Sequence, residues 1–272
     1  MRGSTRAGAQ FSGEERILDW EGALNARDTG GLPTADGRQI RRGALVRSDV
    51  LTRLTPSGRR ALIDHGVRTI VDVRTSEEVG RDVEYPFRET RAQGEPEYVN
   101  VPFVRPLAAD QESEVRARRE AAQSLADLNR VDLDVHRVGI GAVVAAFADA
   151  QPGGVLIHCH AGKDRTGLSV GLLLAVAEVS DEDIADDYAL TMLNLEPLIM
   201  EWLYTYEDEG ERARMRDLAT PRREAMLAAL SHVRERYGDV GSYLRAAGVD
   251  DQQLERIRER LVAEAPEGLP DG

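Results

Sequence analysis

With 272 residues, 42% hydrophobic and 31% charged, the chain can bury a sizeable core without disulfide or metal staples, which excludes disordered, collagen-like and disulfide-scaffold classes. Its 35 basic and 48 acidic residues leave a net charge of −13, so nucleic acid and anionic membranes are not partners for its bulk field, and any anionic ligand needs a local cationic pocket. The longest apolar stretch, Leu168 to Val179, falls short of the ~20 residues of a membrane-spanning helix, so no stable membrane insertion is expected. Residues 1–13 are small and polar and are expected to be poorly ordered; residues 14–265 read as one domain and 266–272 as a tail. No apolar h-region follows Met1-Arg2-Gly3-Ser4, so the expected compartment is the cytoplasm, with signal-less export left open. The segment from Asn25 through Gly30-Gly31 to Asp36-Gly37 reads as strand and turn, and Gly43 to Ser48 as a short strand. Thr55 caps a helix that starts at Pro56 and stops at Gly66. Val67 to Val73 is a buried strand, Ser76-Glu77-Glu78 opens a helical turn, and Glu97 to Val104 is a further strand.

The charged stretch Asp110 to Asn129 predicts one covering helix and Val135 to Ala150 an apolar one. Gly154 to His158 is a short strand, followed by an apolar helix from Arg165 to Val179 and another from Asp181 to Leu190 capped by Ser180. Met192, Leu195, Leu198, Ile199 and Trp202 recur at helical spacing and read as core or lid packing. Thr220-Pro221 with Glu224 signals a helix to Tyr237; Ser242 to Ala247 and an Asp250-capped helix close the chain. Strands alternating with helices predict an α/β fold with a mainly parallel central sheet flanked by helices.

Of the 35 basic residues, 34 are arginine and one is lysine, and the chain has one cysteine. These two singletons, Lys163 and Cys159, fall in one loop, His158-Cys159-His160-Ala161-Gly162-Lys163-Asp164-Arg165-Thr166-Gly167, between the apolar strand and the apolar helix. Such a loop points free backbone N–H groups at one spot, with the positive end of a helix dipole behind them. Gly162 lets the backbone curl, and a thiol placed there ionises readily. Arg165 offers a bidentate fork to two phosphate oxygens, and Thr166 a hydroxyl to the thiolate. Attack of the thiolate on phosphorus would give a phosphocysteine that water hydrolyses. Cys followed six residues later by Arg is weak alone, since about one position in eight is arginine. The flanking histidine, glycine, Thr-Gly pair and strand-to-helix placement make the motif specific.

With this loop the sequence resembles the cysteine-dependent tyrosine phosphatases, more narrowly the bacterial ones of the mycobacterial secreted, triple-specificity type. Their phosphate loop reads H-C-x-A-G-K-D-R-T-G, matched here at every fixed position. Asn25 to Gly31, Arg47-Ser48-Asp49, Gly66 to Arg74 and Gly241 to Leu244 fall where that family has similar segments. The resemblance implies that Cys159 is the nucleophile, Arg165 the phosphate clamp and residues 160–165 the cradle, with His158 ordering the loop. It implies no metal and no cofactor, inhibition by phosphate or vanadate, and a helical lid for which 110–130 is the candidate.

Lys163 sits where phosphoinositide-active relatives carry a lysine, which implies contact with a further phosphate; His160, at the variable loop position, is a candidate for specificity. Many tyrosine phosphatases take the general acid from a W-P-D loop, and no such tripeptide occurs here; the narrower resemblance implies Asp164 as the first candidate, with Asp72 the second. The alternatives are bracing Arg165 or capping the helix for Asp164, and a salt bridge or helix cap for Asp72. The acidic run Asp181 to Asp187 reads as a solvated helix face. Substrate readings stay open between phosphotyrosine, with phosphoserine and phosphothreonine beside it, and phosphoinositides or inositol phosphates. A non-catalytic phosphate-binding module is the alternative from another class, against which the intact Cys159 and Arg165 speak.

Overall fold

The computed structural model describes residues 13–82, 84–88 and 94–263. The expectations for the N-terminal segment, Gly13 excepted, and for the tail 266–272 lie outside the described residues. A five-stranded sheet has the order β1 (Arg27–Asp28), β2 (Leu45–Ser48), β5 (Gly154–His158), β3 (Val67–Asp72), β4 (Glu97–Asn100). Only β1 is antiparallel to its neighbour. Side chains alternate across the sheet, as a period of two requires. Leu45, Val71, Val155 and Ile157 enter the larger core with α5 (Arg137–Asp149), α6 (Asp164–Val176) and α10 to α12 (Arg223–Tyr237, Val240–Ala246, Asp251–Leu261). Val46, Ile70 and Leu156 enter a smaller core with Trp20, Leu54 and Leu62, the last on α1 (Pro56–Asp64).

The register decides where the loops gather. Ser48 and Asp72 both pair with His158, and Asp72 pairs with Asn100, so four parallel strands finish at one edge of the sheet. The segments beginning at Asp49, Val73, Val101 and Cys159 therefore converge outside the carboxyl ends of the strands, where open α/β sheets place ligands.

Several boundaries differ from the sequence reading. The expected helix from Asp110 to Asn129 is two helices, α3 (Ala109–Ala121) and α4 (Leu125–Val135). Ser124 restarts the helix: its Oγ accepts from Asp127 N at 3.3 Å while its own N–H donates to the Asp127 carboxylate at 3.1 Å. α5 begins at Arg137 rather than Val135, and α6 runs from Asp164 to Val176. β4 ends at Asn100, two residues before Pro102, which has no N–H for the ladder. Beyond α7 (Asp181–Ala189) and α8 (Thr191–Leu203) lies α9 (Glu209–Ala219), which the sequence reading missed; the Asp208 side chain accepts from Glu211 N to start it. Thr220 ends α9 instead of capping α10. In α8 the apolar stripe is split: Leu195 is buried, whereas Leu198 and Trp202 are exposed.

The Ser124 capping box is the joint between α3 and α4. Ser124→Ala should lower unfolding free energy in urea by about 1 kcal/mol without changing the slope. An unchanged midpoint would remove the cap from the reasons the helix breaks there.

Candidate active site

Cys159 follows β5 and is 3% exposed. The loop after it is held from outside, carbonyl by carbonyl. His158 Nδ1 donates to Cys159 O at 2.9 Å and Val50 N to His160 O at 2.9 Å. Asn25 Nδ2 donates to Ala161 O at 3.0 Å, and Arg47 Nη2 to Gly162 O at 2.9 Å. A trans peptide sets its N–H opposite its carbonyl, so anchored carbonyls turn the following N–H groups the other way, into the cradle. The N–H groups of 160–165 meet no protein acceptor among the described residues. Gly162 has φ +66°, and a Cβ there would lie 2.3 Å from the Ser48 carbonyl oxygen, so only glycine fits this turn.

His158 is fully buried, and burial holds its ring below the ordinary histidine range, hence neutral. With Nδ1 donating to the Cys159 carbonyl, Nε2 accepts from Tyr85 Oη at 2.5 Å. The Tyr85 hydroxyl is kept protonated by its own burial. Thr166, in the first turn of α6, has a buried hydroxyl with no hydrogen-bond partner among the described residues.

Arg165 is gripped by Glu78 of α2 (Ser76–Gly80), with Nη1 to Oε2 at 2.6 Å and Nη2 to Oε1 at 2.9 Å. The guanidinium draws the Glu78 carboxyl down to about 2. Burial pushes Arg165 down, but Glu78 more than offsets it and holds the cation above its ordinary value. Glu78 also accepts from Thr75 N at 2.9 Å, so the capping box that starts α2 fixes the carboxylate that aims Arg165. Sequence reasoning saw Glu78 only as part of a helix start. A capping-box glutamate was the available signal, but nothing local says that its second oxygen reaches 87 positions along the chain.

The two acid candidates separate by position. Asp164 is partly exposed at the start of α6, accepts from Tyr188 Oη at 3.1 Å and pairs with Lys163 at 3.1 Å. Asp72 is fully buried below the loop, bidentate to Arg74 and accepting from Tyr98 Oη at 2.9 Å. Burial pushes its carboxyl up, yet the charge and hydrogen bonds of Arg74 outweigh that and leave it below the usual range. Lys163 donates to the Ala219 carbonyl at 2.7 Å, at the end of α9, and pairs with Asp164. His160 is exposed at the rim, and Ala161 is half-buried in the loop.

Beside Asp164 and Arg165 opens a cleft of about 780 Å³ with Val104, Leu107 and Val115 on its apolar wall and Arg116, Arg119 and Asp132 among its charges. The α3 side chains that line it belong to the stretch expected as a lid, and none of α3's residues is buried. The α4 part of that stretch is different, since Leu125 and Asn129 are buried, as are Val131 and Leu133 just beyond it. Burial raises the Asp132 carboxyl to about 6 against the pull of its ion-pair partner Arg119, and Asp164 adds to the rise. His136, in the same cleft, is lowered to about 4 by burial. No group of three or more His, Cys, Asp or Glu side chains able to hold a metal occurs among the described residues.

A cysteine at the floor of an N–H cradle, with an arginine in the first turn of the following helix, defines a cysteine-dependent phosphatase site. The model of the tyrosine phosphatase family matches residues 18–263, and the chain belongs to that family as a protein-tyrosine phosphatase. It is 31% identical over 290 residues to the triple specificity protein phosphatase PtpB of Mycobacterium tuberculosis, covering 90% of this chain and 99% of that one. It is 29% identical over 242 residues to a tyrosine-protein phosphatase of Nostoc commune, covering 84% and 78%.

Two predictions test this geometry. Glu78→Gln keeps an acceptor for Thr75 but removes the charge that aims Arg165. It should lower kcat/KM for an aryl phosphate about tenfold or more, in line with the ~1.5–3 kcal/mol typical of charge-assisted hydrogen bonds; an unchanged value would mean that Arg165 needs no aim. The second concerns pH. Asp132 has its folded-state pKa above the unfolded one, so ionising it costs stability as pH rises from about 4 to about 6, and the cost is complete by pH 7. Asn carries no such cost. The Tm of Asp132→Asn relative to wild type should therefore climb between pH 4 and pH 7, by the equivalent of roughly 1–3 kcal/mol. A pH-independent difference would show that Arg119 compensates the charge fully.

Proposed function

We propose that the chain hydrolyses phosphotyrosine in proteins, with phosphoserine and phosphothreonine as further substrates, through a cysteinyl-phosphate formed on Cys159. The observation that carries this reading is the loop of 159–163, whose outward-anchored carbonyls leave the N–H groups of 160–165 for a phosphate dianion. The phosphate settles in that cradle with Arg165 across two of its oxygens. The Cys159 thiolate attacks phosphorus, the bond to the substrate oxygen breaks, and that oxygen takes a proton from Asp164. Water then attacks the phosphocysteine, gives its proton to the Asp164 carboxylate and releases inorganic phosphate and the thiolate. The unpartnered Thr166 hydroxyl is available to donate to the departing sulfur.

Asp164 rather than Asp72 takes the acid role here because it borders the cleft, whereas both Asp72 oxygens are engaged below the loop. Phosphoinositides, the alternative substrate class, belong in the same panel, but Lys163, the residue that would favour them, donates to Ala219 and pairs with Asp164. No helix of the described residues is long and apolar enough to cross a membrane. Phosphate and vanadate should compete with substrate, and a chelator should leave activity intact.

The deciding experiment is a turnover panel of phosphotyrosyl, phosphoseryl and phosphoinositide substrates on wild type, Cys159→Ser and Arg165→Lys. Cys159→Ser should abolish turnover and keep binding; activity within tenfold of wild type would sink the covalent mechanism. Arg165→Lys should fail badly, since an ammonium cannot form the fork. Asp164→Asn should slow poor leaving groups about 10²–10⁴-fold and good ones far less. Equal slowing of both would make Asp164 a brace instead of a donor.

A further inference from the structure

Asp187, expected on a solvated face of α7, is 1% exposed and gathers three arginines from separate parts of the chain. Arg16 Nη1 lies 2.8 Å from one of its oxygens, Arg27 Nε 3.3 Å from the same one, and Arg47 Nη1 2.9 Å from the other. Three guanidiniums on one carboxylate leave an excess of positive charge in the interior. Burial and the neighbouring Arg47 lower Arg27 to about 9, the direction expected for a cation held out of water beside a like charge.

Two of these arginines lead to the phosphate loop. The second arm of Arg47 donates to Gly162 O at 2.9 Å, so one planar fork ties the Asp187 carboxylate to a loop carbonyl. Arg27 Nη1 donates to Asn25 Oδ1 at 2.7 Å, which turns the amide so that Nδ2 reaches Ala161 O at 3.0 Å and Gly162 O at 3.2 Å. The grip falls on the peptide that most needs it. Gly162 tolerates either backbone orientation, and a flip there would aim a carbonyl dipole at the bound phosphate.

We propose that Asp187, Arg47 and Asn25 form a positioning unit that clamps the carbonyls of Ala161 and Gly162 outward and so keeps the cradle's N–H groups aimed at phosphate. None of the three touches substrate; they act through the loop. The proposal rests on the phosphatase reading and assigns a task to two segments, 25–31 and 47–49, that carry sequence resemblance without a role of their own.

The test uses Asn25→Asp and Arg47→Lys in the full chain, with kcat, KM, the inhibition constant of inorganic phosphate and Tm measured for each. Aspartate at position 25 still pairs with Arg27 but cannot donate to the loop. Lysine at position 47 keeps the charge but cannot span Asp187 and Gly162. Each should raise the phosphate inhibition constant and KM about tenfold or more in folded protein, and the double variant should show less than the product because both grip Gly162. A merely structural cluster would shift Tm and leave the inhibition constant within twofold of wild type, and that outcome in Asn25→Asp overturns the proposal even if Arg47→Lys does not fold. Wild-type enzyme uninhibited by phosphate would overturn the phosphatase reading itself, and the positioning unit with it.

Discussion

A phosphate cradle requires backbone N–H groups left without protein acceptors inside a folded chain, and such groups are costly wherever they are buried. Left alone, the loop 159–165 would relieve that cost by rotating a peptide and pairing an N–H internally. The structure blocks each rotation from the far side of the same peptide: every carbonyl from Cys159 to Gly162 already has a donor, supplied by His158, Val50, Asn25 and Arg47. Those donors come from three separate segments, so the loop's shape is a tertiary property. The parallel register of β2 beside β5, with the antiparallel β1 on its other side, brings them within reach.

Charge follows the same logic of local against global. A chain carrying −13 repels a phosphate dianion at long range, so recognition has to come from fixed short-range dipoles and cations. Arg165 supplies the near cation, and Glu78 holds both of its terminal nitrogens. An incoming phosphate therefore competes with a carboxylate for the fork, and part of its binding free energy goes into sharing that partner. What Glu78 contributes in return is orientation, since a guanidinium already aimed loses less conformational freedom when substrate arrives.

The residues proposed to carry the chemistry stand out in the sequence because they are local. Cys159, Gly162, Arg165 and Thr166 lie within eight positions, and the β-branched runs at 67–72 and 154–158 announce the strands that carry them. Ser124 with Asp127 and Asp208 with Glu211 were legible in principle as helix starts, but charged, alanine-rich surroundings concealed the breaks beside them. Glu78 and Asp187 were not legible. Each sits in an acidic helical run whose pattern says only that one face is wet, and its function depends on an arginine 87 or 140 positions away. Lys163 shows the converse case: its rarity singled it out, while the helix-terminal carbonyl at Ala219 to which it donates had no sequence signature.

Placing the proton donor on the phosphate loop has a structural consequence. On the proposed reading, Asp164 follows Lys163 directly and opens α6, so nucleophile, cradle, acid and clamp all ride on residues 159–165. An acid on a separate loop would need that loop to close before the leaving oxygen could be protonated. Here the donor is in place once the cradle is, and its carboxylate is oriented by Tyr188, whose hydroxyl stays protonated because it is buried. The burden of precision then shifts from a moving loop to the fixed supports beneath, and Gly167, which packs its backbone against the Tyr188 ring, leaves no room for a side chain at that joint. Such an arrangement ties proton delivery to the same buried carbonyl anchors that shape the phosphate site, so a disturbance of Asn25 or Arg47 would be felt by the acid as well as by the cradle.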